Sequence, residues 1–226
     1  MPTRVMPNLT RRAFLASAAA SMATPTRAQT ATTLFVSHPA MLAHDPGPGW
    51  PDRPDRLRAL EDILATPRFA SLTRIDAPTA TRAAILRVHA PELLTRLEQA
   101  TPAQGTAQLG NDVVMNAGTL SAALHAAGGG VAAIEAVMRG QARNAFVATR
   151  PPGHHARAEA PMGFCFLNNA AIAARHARDA MGATRIAIVD FDVHHGNGVQ
   201  EIFWSDKNTL YCSTHQMPLY PGTGAV

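Results

Sequence analysis

Short, almost continuous apolar runs alternate with helix-patterned segments through the second half of the chain, and this alternation narrows the fold more than any other feature. NAFVATR (144–150), RIAIVDF (185–191) and TLYCST (209–214) read as strands. LNNAAIAARHARDAMG (167–182) and the residues from Val199 to Trp204 read as the helices between them. Strands without polar alternation are buried on both faces, which predicts a parallel sheet covered by helices on each side, an α/β fold.

Upstream, LFVSH (34–38) reads as a first strand and HDPGPGWPDRP (44–54) as a Pro/Gly-rich loop. PDRLRALEDILA (54–65) carries Leu57, Leu60, Ile63 and Leu64 at helical spacing. RAAILRVHAPELLTRLEQA (82–100) gives one or two further helices, GTAQLGNDVVM (105–115) a loop, and ALHAAGGGVAAIEAVMRG (123–140) an Ala-rich helix whose glycines permit close packing.

The first 28 residues have a separate logic. TRRAFLASAAASMATPTRAQ combines a twin arginine, a short run of small and apolar residues, and a small-residue cleavage pattern ending at Ala28. This resembles a twin-arginine export leader over residues 1–28, leaving 29–226 as one domain and predicting a periplasmic protein with no stable membrane anchor after cleavage. Arg4, Arg11, Arg12 and Arg27 lie in that leader with no acid; removing them from the 20 basic residues leaves 16, equal to the 16 acidic ones. A neutral domain does not advertise the basic surface that nucleic acid requires. Cys165 and Cys212 are too few for a disulfide scaffold, and sequence does not decide whether they pair.

The chemistry concentrates at strand ends, where α/β sheets bind ligands. DFDVHHGNG (190–198) follows the strand RIAIV. Because strand side chains alternate, Asp190, Asp192 and His194 would point to one side and Phe191, Val193 and His195 to the other. Asp192 and His194 could then reach one cation, and oxygen with imidazole suits Zn²⁺ or another divalent metal. Asp190 is better placed one shell out, orienting a histidine. RPPGHHA (150–156) ends the neighbouring strand and presents His154 and His155 together, imidazoles suited to general acid and base work near neutral pH.

RPPGHHA, GFCFLNNAAIAA (163–174), IVDFDVHHGNGVQEIF (188–203) and STHQMPLYPGTG (213–224) occur in this order, and together they resemble the zinc-dependent histone deacetylase superfamily. That superfamily includes class II-like bacterial enzymes, acetylpolyamine amidohydrolases and acetoin-utilisation proteins. The resemblance implies an arginase/deacetylase-like three-layer fold and metal-assisted hydrolysis of acetylated lysine or small amines such as polyamines. Asp192 and His194 would be two of three zinc ligands, His154 and His155 the base and acid, with Asp190 orienting His154 and Asn197 meeting His155. Gly163 and Phe164 would line the substrate channel. Asp112 would bind substrate backbone or cap the following helix, and Ser213 with Asp190 and Asp192 resembles a structural K⁺ or Na⁺ site. Trp50 stands where relatives often carry histidine. The superfamily's third zinc ligand, an aspartate, and its catalytic tyrosine belong to segments beyond PGTG. The expectation is therefore a C-terminally incomplete domain, with a non-catalytic binding module as the competing reading.

Overall fold

The computed structural model describes residues 32–225; the leader read over residues 1–28 lies outside them. Strand β1 (Thr33–Ser37) pairs in parallel with β2 (Thr73–Asp76) on one side and β5 (Asn144–Val147) on the other. A second parallel pair joins β6 (Ile186–Asp190) to β7 (Thr209–Ser213). The parallel strands read from apolar runs are thus present, but they form two sheets. β2 comes from LTRID, whose polar strand residues give no apolar run to read.

Helices α1 (Pro54–Leu64), α2 (Arg82–Ile85), α3 (Pro91–Ala100), α4 (Thr119–Met138), α5 (Asn169–Asp179) and α6 (Asn197–Phe203) follow the expected pattern within a few residues. Proline opens α1 and α3, where its fixed φ and missing N–H cost nothing. Asn168 caps α5 by accepting from Ala171 N–H. Residues 105–115, read as a loop, instead form most of an antiparallel hairpin, β3 (Thr106–Gly110) and β4 (Val113–Asn116). Val113 and Met115 alternate into the core against α3 and α4, a burial that two alternating residues among polar neighbours do not announce.

Leu34, Phe35 and Val36 are all buried, so both faces of β1 are covered. The Val36 and Val147 side chains approach α4 at Gly129, while Arg74 lies over the Phe35 ring. The apolar length of α4 would match a membrane span, but here the helix packs on β1, β5 and α5. Its glycines have the close-packing role expected: a Cβ at Gly128 would fall 2.0 Å from the Pro78 carbonyl oxygen. The β6–β7 sheet departs from the expectation of helices on each face. Ile186, Ile188 and Tyr211 pack with α5 and α6, whereas Val189 and Leu210 are exposed. Among the described residues nothing covers that second face.

Candidate active site

Strand ends from both sheets meet at one cavity of about 590 Å³, lined by His154, His155, Phe164, Asp192, His194 and Tyr220 among others. The RPPGHHA turn is anchored from below by Arg150. Its guanidinium donates to Asp52 Oδ1 at 2.8 Å and to the Met41 and His44 carbonyls, wholly inside the protein. His44 Nε2 also lies 3.2 Å from Asp52 Oδ2. Burial alone would raise the Asp52 carboxyl, but His44 and Arg150 outweigh it and hold it below the usual carboxylate range.

On this anchored turn the two imidazoles stand 3.9 Å apart, centre to centre. His154 Nδ1–H donates to Asp190 Oδ2 at 2.9 Å, as expected of an orienting carboxylate. Tyr211 donates to the same oxygen at 3.0 Å, and Asp192 N–H donates to Asp190 Oδ1. Burial would raise Asp190, yet the His154 hydrogen bond and these further donors hold it low, so it remains an anion. Burial and the electrostatic influence of Asp190 push the Tyr211 phenol up to about 12 and keep it a donor.

His155 Nδ1–H donates to Asn197 Oδ1 at 2.8 Å, the meeting predicted for that pair. With Nδ1 committed, Nε2 carries the lone pair and accepts protons. Burial, then the adjacent His154, depress His155 to about 4 against the raising effect of Asn197. At neutral pH it is an uncharged base. Gly163 lies on the cavity wall as predicted, but its main reason for being glycine is room for this ring. A Cβ there would stand 2.4 Å from His155 Cδ2, and φ is +57.

Asp192 and His194 do come together, by a different route from the one read in sequence. β6 ends at Asp190, and the next residues turn instead of alternating. Asp192 Oδ1 accepts from the His194 backbone N–H at 2.8 Å, an Asx turn that sets His194 Nδ1 3.2 Å from the same oxygen. Two ligands bound tetrahedrally at about 2.0–2.2 Å would lie at about such a separation, so these donors suit a zinc ion. His154 Nε2 is 3.9 Å from Asp192 Oδ1. Among the described residues no group of three or more His, Cys, Asp or Glu is placed to hold a metal. His195 turns away and is buried between Thr223 and Gln200.

The remaining candidates divide. Phe164 lines the cavity and meets Trp50 edge-on at 5.9 Å. Asp112 also reaches the cavity wall but caps no helix: it lies in the β3–β4 turn, and Gly118 precedes α4. Ser213 pairs in register with Asp190, and its hydroxyl contacts His215 Nδ1 at 2.9 Å. Cys165 is buried and Cys212 exposed, both as free thiols. Sequence reasoning missed Tyr220, which lies against His155 and His194 and bonds Asp112. A tyrosine between two prolines beside the PGTG turn was its available signal.

The histone deacetylase domain pattern matches residues 50–226. A probable deacetylase of Archaeoglobus fulgidus is 40% identical over 195 residues, covering 85% of this chain and 54% of the relative. The histone deacetylase-like amidohydrolase of Pseudomonas aeruginosa is 37% identical, with 83% and 48% covered. The human polyamine deacetylase HDAC10 is also 37% identical, with 73% and 26% covered. The chain thus spans about half the length of the first two relatives. The crystal structure of the HDA15 HD domain superposes with a TM-score of 0.81 at 38% identity, covering 86% of this chain and 57% of that one. With the domain pattern running through the cavity and all four motifs, this chain belongs to the histone deacetylase family.

Proposed function

We propose that the complete protein is a zinc-dependent amide hydrolase that removes acetyl or other acyl groups from small amines or acyl-lysine. The observation that carries this reading is the His155 imidazole, its Nδ1 held by Asn197, beside a second histidine held by Asp190 and two donors suited to zinc. A zinc ion held by Asp192 and His194, with a further ligand, would polarise an amide carbonyl and acidify a water. His155 Nε2 takes the proton of the attacking water, and its neutral form at pH 7 leaves it ready to do so. His154, its ring oriented by the Nδ1–H bond to Asp190, is placed beside His155 to give a proton to the departing amine. Acid and amine are the products.

The export leader read over residues 1–28 supports a periplasmic setting. There, acetylated polyamines, other acylated small amines and acyl-lysine peptides are the substrates to test. The named activity of the human polyamine deacetylase supports the first of these. A second reading, a non-catalytic module that binds acyl amines, is favoured by one observation: the described residues supply only two converging metal donors. Acetate release from an acetyl-lysine reporter and from N-acetylputrescine separates the readings. Hydrolysis lost to a chelator, restored by Zn²⁺ and lowered about 10²–10⁴-fold by His155→Ala is the expected result. Zinc bound with no acetate released would overturn the hydrolase reading.

A further inference from the structure

The two histidines of the pair are oriented by different kinds of partner. His154 Nδ1 faces the Asp190 carboxylate, which can only accept, so that one contact fixes its proton on Nδ1. His155 Nδ1 faces an amide instead. An amide presents an acceptor on one side and donors on the other, and an imidazole nitrogen can play either part. The contact at 2.8 Å would also be satisfied with Asn197 turned over, its Nδ2–H donating to a bare Nδ1. His155 would then carry its proton on Nε2, the nitrogen that has to accept one.

The neighbour that breaks this symmetry is Met162. Asn197 Nδ2 donates to its thioether sulfur at 3.4 Å. A thioether has no proton to give, so it can satisfy the amide nitrogen but not the amide oxygen. Among the described residues the Asn197 side chain has no other hydrogen-bond partner. Met162 is itself held in place: its N–H donates to the Cys165 carbonyl at 3.1 Å, and Cys165 N–H donates back to the Met162 carbonyl at 2.9 Å. This closed pair carries the wall on which Gly163 makes room for the His155 ring. From the other side Asn197 opens α6, which is tied to the histidine turn by Val199 N–H donating to the His154 carbonyl at 3.2 Å.

We infer that Met162 is a positioning residue that acts through Asn197: its thioether keeps the amide oxygen on His155 Nδ1 and so keeps His155 in the tautomer with a bare Nε2. The inference rests on the amide-hydrolase reading, in which that nitrogen takes the proton of the attacking water.

Long-range ¹H–¹⁵N correlation spectra of the complete protein at neutral pH report which ring nitrogen carries the proton, without turnover. His155 shows only the Nδ1–H form. Met162→Leu is close in volume and removes the acceptor. It brings in the Nε2–H form and lowers kcat on an acetyl-lysine reporter about fivefold, the worth of one ordinary hydrogen bond, at unchanged KM. Asn197→Asp replaces the amide with a carboxylate that accepts on either side. In that background Met162→Leu changes neither the tautomer nor kcat relative to Asn197→Asp alone, whereas a role in packing alone would cost the same factor in both backgrounds. An Nε2–H form in the unsubstituted protein, or equal losses in both backgrounds, overturns the inference. A reporter left intact by the unsubstituted protein would sink the hydrolase reading, while the spectra would still decide the role of Met162.

Discussion

The two strand ends that build the cavity stand on very different ground. RPPGHHA leaves a sheet whose central strand is buried on both faces, with Leu34 only 4% exposed, and Arg150 ties its base into a closed polar core. DFDVHHGNG leaves a sheet covered on one face, where Val189 is 66% exposed, Leu210 59% and the following Phe191 86%. The contrast separates two kinds of preorganisation. The His154–His155 pair is positioned by packing and by hydrogen bonds to buried or half-buried partners. The Asp192–His194 pair relies on a local Asx turn, and the Asp192 side chain is 50% exposed.

The largest effect should come from breaking the anchored side. Arg150→Met leaves the Asp52 carboxylate buried opposite His44 alone, and removing one partner of such a pair costs about 3–5 kcal/mol. Urea unfolding measures it; a loss under about 1 kcal/mol would mean that the anchor is dispensable. Next, Leu34→Ala should cost about 2–5 kcal/mol by opening a cavity in the core, while Leu210→Ala should stay within about 0.5 kcal/mol. Equal losses would erase the contrast between the sheets.

Acid should act on the anchored side too. The Asp52 carboxyl is held below its unfolded value, so its stabilising contribution is present above about pH 3.9 and is lost as pH falls through the folded value. An Asp52→Asn variant should lose stability at neutral pH and show a flatter dependence below pH 4 by circular dichroism. The smallest change in stability is expected for Asp192→Asn, within about 0.5 kcal/mol for the metal-free protein, because its carboxylate is half exposed. The same variant should bind less Zn²⁺ by atomic absorption, and undiminished binding would remove Asp192 from the ligand set.

Apolar runs and helical spacing determined most of the elements by themselves. Burial demands apolar side chains wherever a strand is covered, and the periods of 2 and 3.6 survive in the sequence. Four motifs likewise made His154, His155, Asp190, Asp192, His194 and Asn197 legible, since their chemistry is carried by residue type and order. Tertiary structure alone decided the rest. It split the parallel strands into two sheets, turned residues 105–115 into a hairpin, and ended β6 at Asp190 so that a turn brings Asp192 to His194. It also set Tyr220 against Asp112 and Arg150 against Asp52 across 108 and 98 positions. Local patterning records which face of an element is apolar. It carries no record of which distant polar group will meet another, because that depends on how the chain closes on itself.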